Sequence, residues 1–142
     1  MYDWTENYYQ DDNNVARKIT DLDISFEIHP ISKDIRKKTN VEAIKQSLRL
    51  LVLLNHYEKP FHPDIGSDIY KSLFEPEYDK VNEHVIEENI KRLIDDYEPR
   101  AEEIEVTAEL QPDNNAMNIT IFFVPVGSID KEKVDIFLRI LR

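Results

Sequence analysis

The sequence predicts an α+β fold, in which about three helices pack on one side of a small, mostly antiparallel β-sheet. Three observations support this prediction. Apolar and polar residues alternate over 21–28 and 104–110, the pattern of strands with one wet face. Between these segments, apolar residues recur every three or four positions, as in amphipathic helices. The order of strand, helices and then several strands is typical of α+β domains.

Composition and charge exclude several classes of function. The 142 residues carry a net charge of -11, which disfavours nucleic acid and anionic membrane surfaces as partners. With no cysteine, neither a disulfide framework nor a thiolate metal site is expected. Gly66 and Gly127 are the only glycines, too few for a phosphate-binding loop, so no cofactor is expected. The longest apolar run, 50–54, is too short to span a bilayer.

The first fourteen residues, MYDWTENYYQDDNN, are acidic and have no apolar period. We therefore expect a disordered tail over 1–14, followed by a single domain over 15–142. The tail also carries Trp4, Tyr8 and Tyr9, and large aromatic side chains are common anchors in protein interfaces. Two interpretations stay open: a frayed end, or a segment that becomes ordered against a partner.

The first predicted strand begins at Asp21, and Pro30 turns the chain after it. Alternation predicts that its apolar side chains form a buried face: Leu22, Ile24, Phe26 and Ile28.

Three helices are predicted after this strand. Thr39 and Glu42 have the spacing of a capping box, which would start the first helix, and its leucine-rich turns should form the centre of the core. A short helix is expected over 67–74. The third helix should run over 81–97, with Val85 on its buried stripe.

The C-terminal part of the chain is expected to supply the remaining strands. Residues 104–110 alternate, whereas 117–126 are apolar on both faces, as in a central strand. The last segment, 134–141, fits the period of a strand and that of a helix. We favour a strand because β-branched and aromatic residues dominate the segment.

The polar residues do not form a recognisable catalytic or metal-binding motif. His56, His62 and Asp64 are close in sequence but lie among prolines, so no helix presents them as zinc ligands, and no metal site is expected. Carboxylates are abundant, as in acidic hydrolases, but those of the third helix should lie on its wet face, where no apolar pocket keeps one protonated. We therefore predict an interaction module and not an enzyme.

Four segments together resemble one protein family: DLDISFEIHPISKDI, AIKQSLRLLVLL, EKPFHPDIGSDIYKSLFEP and YEPRAE. From about residue 19 onward, the chain resembles the baseplate wedge, or sheath initiator, family of contractile phage tails, which type VI secretion baseplates share. The chain departs from the family pattern at Tyr57, where the family usually has glycine. Other family positions are matched, and the resemblance implies a mainly structural role for them: Phe61, Pro63, Gly66, Phe74, Glu75 and Pro76.

The resemblance implies a structural subunit, present once per wedge of a six-fold baseplate in the virion tail and assembled in the host bacterial cytoplasm. Its expected partners are the baseplate wedge proteins and the tail sheath subunit, with the tail tube or hub as a further candidate. Its expected role is to start the sheath by β-strand addition. We expect the free chain to be a monomer, because its charge opposes self-association. The alternative is a lysozyme-like acidic peptidoglycan hydrolase, a label that some family members have carried.

Glu98, Pro99 and Arg100 follow the third predicted helix. Pro99 should end that helix, so that Glu98 and Arg100 project together from an extended segment. One interpretation is an internal clamp, in which Arg100 pairs with Glu98 or Asp96. The other, which the resemblance implies, is an outward-facing pair that contacts the helical core of the wedge. We favour the second and expect Arg100→Ala to weaken wedge assembly without unfolding the domain.

Overall fold

The computed structural model describes residues 18–69, 80–111 and 116–139. Backbone contacts divide the chain into two compact units, 1–40 and 41–142. Within the described ranges there are two antiparallel sheets and two helices, which confirms the predicted α+β class. The tail over 1–14 and most of the short helix predicted over 67–74 lie outside these ranges. A single domain over 15–142 stays a prediction.

The first unit is built on a β-hairpin. Strand β1 (Thr20–Leu22) pairs antiparallel with strand β2 (Lys37–Thr39). Further along the hairpin, an isolated antiparallel bridge joins Ile28 to Ile35. The strands are short because the chain between them is organised by turns.

The half-buried strand predicted from Asp21 is wrong beyond Leu22. The Asp23 carboxylate accepts a hydrogen bond from the Ser25 amide at 3.0 Å, and Phe26 has a φ of +52°. Both features are typical of a turn, which ends β1. The alternating apolar side chains are 49–66% exposed and do not form a core face: Leu22, Ile24, Phe26 and Ile28.

A three-stranded antiparallel sheet is the base of the second unit. Its strands, in their order across the sheet, are β3 (Ala101–Gln111), β4 (Ala116–Pro125) and β5 (Glu132–Arg139). The predicted central strand is confirmed, and so is the preference for a strand in the C-terminal segment. The register aligns Ala108, Ile119 and Ile136 across the three strands, so alternate side chains form continuous rows.

Two helices cover one face of this sheet. Helix α1 (Val41–Leu53) contacts β5, and helix α2 (Lys80–Tyr97) contacts β3. Large apolar side chains are fully buried between the layers, and each contributes about 1.5–3 kcal/mol by leaving water. They include Ile44, Leu48, Val52, Ile90, Ile94, Ile119, Ile121, Phe123 and Val134.

Two details at the helices differ from the predictions. Thr39 belongs to β2, so Asn40, with a φ of +50°, directly precedes the first turn of α1 in place of the predicted threonine cap. On α2, Val85 is 49% exposed, whereas the next residue, Ile86, is buried. The predicted position of Val85 is wrong because the buried stripe, which includes Ile90 and Ile94 as expected, continues toward the N-terminus through Ile86.

Candidate functional site

The EPR corner, residues 98–100, joins the end of α2 to the start of β3. The Ala101 amide donates to the carbonyl of Glu98 at 3.1 Å, which closes a tight turn. The carbonyl of Arg100 accepts a hydrogen bond from the Val126 amide at 2.9 Å. This second bond ties the corner to the chain just beyond β4, so its backbone is fixed at both ends.

Glu98 and Arg100 form a bidentate ion pair within this corner. Nε of Arg100 donates to Oε1 of Glu98 at 2.6 Å, and Nη2 donates to Oε2 at 2.8 Å. Glu98 is 2% exposed, and the side chain of Arg100 is 18% exposed. Parallel charge-assisted hydrogen bonds offset much of the cost of burying the two charges. Pro99, between them, is exposed.

This geometry is that of the internal clamp. The expectation that Glu98 faces outward is wrong, because its carboxylate is buried against the arginine two residues further on. The sequence correctly indicated that the two side chains project together, but sequence spacing does not determine which side of the chain the core covers. Contact of the EPR corner with a wedge protein stays a prediction.

The motif loop, residues 55–68, follows α1 and contains the segment EKPFHPDIG. The carboxylate of Glu58 accepts hydrogen bonds from the side-chain amide of Asn55 at 2.8 Å and from its backbone amide at 2.9 Å. These two bonds, the side-chain one first, hold the pKa of Glu58 below its usual value. The imidazole of His56 lies 2.9 Å from the carboxylate of Asp68. The loop therefore has its own polar framework.

The motif loop is also tied to α2. The hydroxyl of Tyr97 donates to the carboxylate of Asp64 at 3.1 Å. Burial, and then the Asp64 carboxylate, raise the pKa of the Tyr97 phenol. Tyr97 thus acts as a support for the loop, near the position where α2 leads into the EPR corner.

Gly66 allows a close approach of backbone to backbone inside the motif loop. A Cβ atom at this position would overlap the backbone nitrogen of His56 and lie 2.5 Å from the carbonyl carbon of Asn55. Pro63 contributes through its carbonyl, which accepts a hydrogen bond from the Tyr57 amide at 3.0 Å. These two motif residues shape the loop in the structure.

Two aromatic side chains project from the motif loop into solvent. Phe61 is 97% exposed and Tyr57 is 83% exposed. Both have a positive φ, +68° and +71°, which is unfavourable for bulky residues. Glycine adopts this conformation freely, so tyrosine at position 57 keeps the turn that the family's usual glycine suits. Exposed aromatics held in strained backbone are features of interaction surfaces.

The other residues singled out in the sequence lie outside the described ranges. They are Phe74, Glu75 and Pro76 of the family motif, and Trp4, Tyr8 and Tyr9 of the N-terminal tail.

The two outer strands of the three-stranded sheet differ at their free edges. Along β3, the carboxylate of Glu87 accepts a hydrogen bond from the Ala108 amide at 2.9 Å, and that of Glu83 accepts one from the Leu110 amide at 3.1 Å. Along β5, no strand of the described ranges pairs with the outer edge. Within the described ranges, the sheet therefore has one outer edge bonded by side chains and one outer edge without a paired strand.

Sequence reasoning missed the role of Glu83 and Glu87. Both were expected on the wet face of the helix, and this is wrong because they bond to the edge of β3. Their separation by four residues indicated only that they share one side of α2. The sequence carries no signal that this side meets a strand edge.

The described ranges contain no candidate metal-binding site. No cluster of three or more His, Asp or Glu residues there could hold a metal ion. His56 bonds to Asp68, and Asp64 bonds to Tyr97, so both are engaged elsewhere. None of the helices in the described part of the chain is long and apolar enough to cross a membrane.

Comparison with known proteins places this geometry in context. Residues 38–124 match the family model described as baseplate wedge protein gp25. The chain is also similar to the baseplate wedge protein gp25 of Enterobacteria phage T4. The two are 25% identical over 117 residues, which is 82% of this chain and 87% of the phage protein.

Two solved structures share the fold. One is a protein from Geobacter sulfurreducens described as a candidate tail lysozyme, with a TM-score of 0.62 and 20% identity over 71% of this chain and 91% of that one. The other comes from the baseplate complex of the type VI secretion system, with a TM-score of 0.57 and 12% identity over 70% of this chain and 93% of that one. At these identities the likeness shows the fold alone.

Proposed function

The chain belongs to the baseplate wedge protein gp25 family, as its motifs predicted, and we propose that it is a structural subunit of a contractile phage tail baseplate. The match of the family model over 38–124 carries this proposal. In this role the chain docks on the helical core of the wedge and initiates the sheath by accepting a strand from the tail sheath subunit. One copy per wedge would give six copies in the virion tail baseplate, which assembles in the host bacterial cytoplasm.

The geometry of β5 supports strand addition. In an antiparallel ladder, alternate residues direct their backbone groups toward opposite neighbours. Because the Ala108 amide points away from β4, its partner Ile119 directs its own backbone groups toward β5, where it faces Ile136. Ile136 therefore bonds to β4, and its neighbours Asp135 and Phe137 direct their amides outward. An added strand would bond to these outward groups.

The side chains of β5 define the kind of strand that fits. On the helix-covered face, Val134, Ile136 and Leu138 are buried. On the other face, Phe137 is 60% exposed, and Lys133 pairs with Asp135 at 2.9 Å. A partner strand with apolar residues on one side and polar or aromatic residues on the other would extend both faces of the sheet.

Docking on the wedge is proposed through the EPR corner and the motif loop. Glu98 holds the guanidinium of Arg100 in one orientation, and the exposed Pro99 lies between the two, so the corner is a rigid surface for docking. Phe61 and Tyr57 add exposed aromatic surface. The N-terminal aromatics, Trp4, Tyr8 and Tyr9, are proposed as a further docking segment, and the tail tube or hub as a further partner.

The variant Phe137→Pro tests strand addition at β5. Proline lacks the amide that an added strand would use, and an outward-facing edge position tolerates it. We expect the variant to fold and to dock on wedge proteins, but to recruit no sheath subunit in a sedimentation assay with assembled wedges. Phe137→Ala is the matched control, because it removes the ring and keeps the amide. Normal sheath recruitment by Phe137→Pro would reject strand addition at β5.

Peptidoglycan hydrolysis is the second candidate function, and the likeness to the Geobacter protein is the observation in its favour. A lysozyme-like acid must be kept protonated by apolar surroundings. Within the described ranges, the one buried carboxylate is that of Glu98, and Arg100 binds both of its oxygens. We therefore expect the purified chain not to clear a suspension of peptidoglycan, and clearance would favour the hydrolase.

A further inference from the structure

The distance between Glu83 and Glu87 along α2 matches the distance between two successive outward-facing amides along β3. An advance of four residues along a helix is about 6 Å, and two residues along a strand cover about 6.8 Å. Two carboxylates one turn apart on α2 can therefore reach two successive outward amides, those of Leu110 and Ala108, as the distances of 3.1 and 2.9 Å show. The next position in the series, Lys91, has an ammonium group that cannot accept a hydrogen bond.

We propose that Glu83 and Glu87 seal the edge of β3 against strand addition, so that copies of this chain cannot join β5 of one copy to β3 of the next. The assignment of β5 as the open edge rests on the proposed function. The seal itself rests on the two hydrogen bonds to Ala108 and Leu110.

An incoming strand would meet two obstacles at β3. Its carbonyl oxygens would have to replace carboxylates, which bond to backbone amides more strongly than neutral acceptors do. They would also approach two negative charges at short range. The seal thus makes the β3 edge a poor acceptor over its regular part, from Glu105 onward, where no further strand of the described ranges pairs with it.

A second copy of this chain is the strand donor that the unsealed edge would capture. The exposed charged side chains of β5 are Lys133, Asp135 and Arg139, with a net positive charge, and those of β3 are all acidic and include Glu105 and Glu109, so the net charges of the two edges are complementary. The contact would join different edges of the two copies. Because each added copy leaves another edge unpaired, contacts of this kind produce open chains of subunits and not closed dimers.

The double variant Glu83→Ala/Glu87→Ala tests the seal by analytical ultracentrifugation of the full chain at moderate salt. We expect concentration-dependent oligomers larger than a dimer, whereas the parent stays monomeric. The matched control is Glu83→Gln/Glu87→Gln, which removes the same two charges but keeps an acceptor oxygen at each position. This control should stay monomeric. Its oligomerisation to the same extent would overturn a seal made by the two hydrogen bonds, because repulsion by the charges alone would then account for the monomeric parent.

Adding Phe137→Pro to the alanine pair identifies the donor edge. If β5 supplies the strand, the triple variant should return to a monomer. Oligomers that persist in the triple variant would overturn the joining of β5 to β3. This outcome is distinct from failure of the proposed function, which is measured by sheath recruitment to wedges.

Amide hydrogen exchange tests the seal in variants with a single substitution. We expect these variants to fold even if the double variant does not. Glu87→Ala should speed exchange at Ala108 by about tenfold or more and leave Leu110 unchanged, the effect expected on losing a charged acceptor. Glu83→Ala should do the reverse. Unchanged exchange at both amides in both variants would overturn the proposal.

Discussion

The carboxylate of Glu98 lies within 2.6 and 2.8 Å of two nitrogens of Arg100, across a single proline. In a chain with a net charge of -11, this arginine neutralises the one acidic side chain that is buried in the described ranges. The EPR corner is therefore an element of stability in the isolated chain. This changes the expected result of removing the arginine.

Arg100→Ala should destabilise the isolated chain by about 3–5 kcal/mol, because it leaves the buried Glu98 carboxylate without its cation. Urea unfolding at pH 7 measures the loss. Lys131→Ala is the matched control, since it breaks the Lys131–Glu105 pair at 2.6 Å, in which both side chains are exposed, and should cost less than about 1 kcal/mol. Equal effects of the two variants would show that the EPR pair is not a buried clamp.

Gly66→Ala should lower stability by more than about 2 kcal/mol, because the added methyl group overlaps the backbone at His56. Gly127 is the natural comparison within the chain. A Cβ atom there meets nothing within 4 Å, and only the φ of +80° is unfavourable, so Gly127→Ala should cost about 1 kcal/mol. Thermal unfolding of both variants gives the order of their stabilities. A larger loss of stability in Gly127→Ala would contradict the close backbone packing at Gly66 in the motif loop.

Tyr57→Gly should leave stability within about 1 kcal/mol of the parent, because glycine adopts a φ of +71° without strain while it gains freedom in the unfolded chain. Tyr57→Val should be the less stable of the two, since a β-branched residue is strained at this φ. The midpoints of urea unfolding measure the difference in stability between the two variants. If glycine proves more damaging than valine, the positive φ at this position is not the conformation of the protein in solution.

Glu58→Gln should reduce the loss of stability in acid. The folded-state pKa of Glu58 is lowered by the bonds from Asn55, so their contribution is present above the unfolded pKa and is lost as pH falls through the folded value. Urea midpoints measured between about pH 5 and pH 2 should therefore fall less steeply in the variant than in the parent. Asn55→Ala keeps the carboxyl group and the backbone donor but removes the side-chain donor, which is the larger cause of the lowered pKa, and should partly flatten the same range. Parent-like slopes in both variants would contradict this account.

The predictions that succeeded concern segments whose residue composition favours a strand. β4 is apolar on both faces and is the central strand, and the β-branched residues of β5 form a strand although a helical period also fits them. The segment after Asp21 failed because its alternation competes with a local turn at Asp23 and Ser25, and the turn prevailed.

The candidate site was less predictable because its chemistry depends on tertiary contacts. Pro99 correctly indicated the end of α2, but the burial of Glu98 follows from how the helix lies on the sheet. Likewise, nothing local distinguishes Glu83 and Glu87 from solvent-facing glutamates. Their partners, Leu110 and Ala108, are 27 and 21 residues away.

A sheet in which only one of the two outer strands can accept a further strand gives direction to an assembly that grows by strand addition. Under the proposed function, growth would start at β5 and proceed outward, whereas the β3 edge, which Glu83 and Glu87 bond, would not accept a strand. Such a subunit would mark an origin, so that the assembled structure has a first layer and one direction of elongation. Two carboxylates on one helix would thus define polarity for a far larger object.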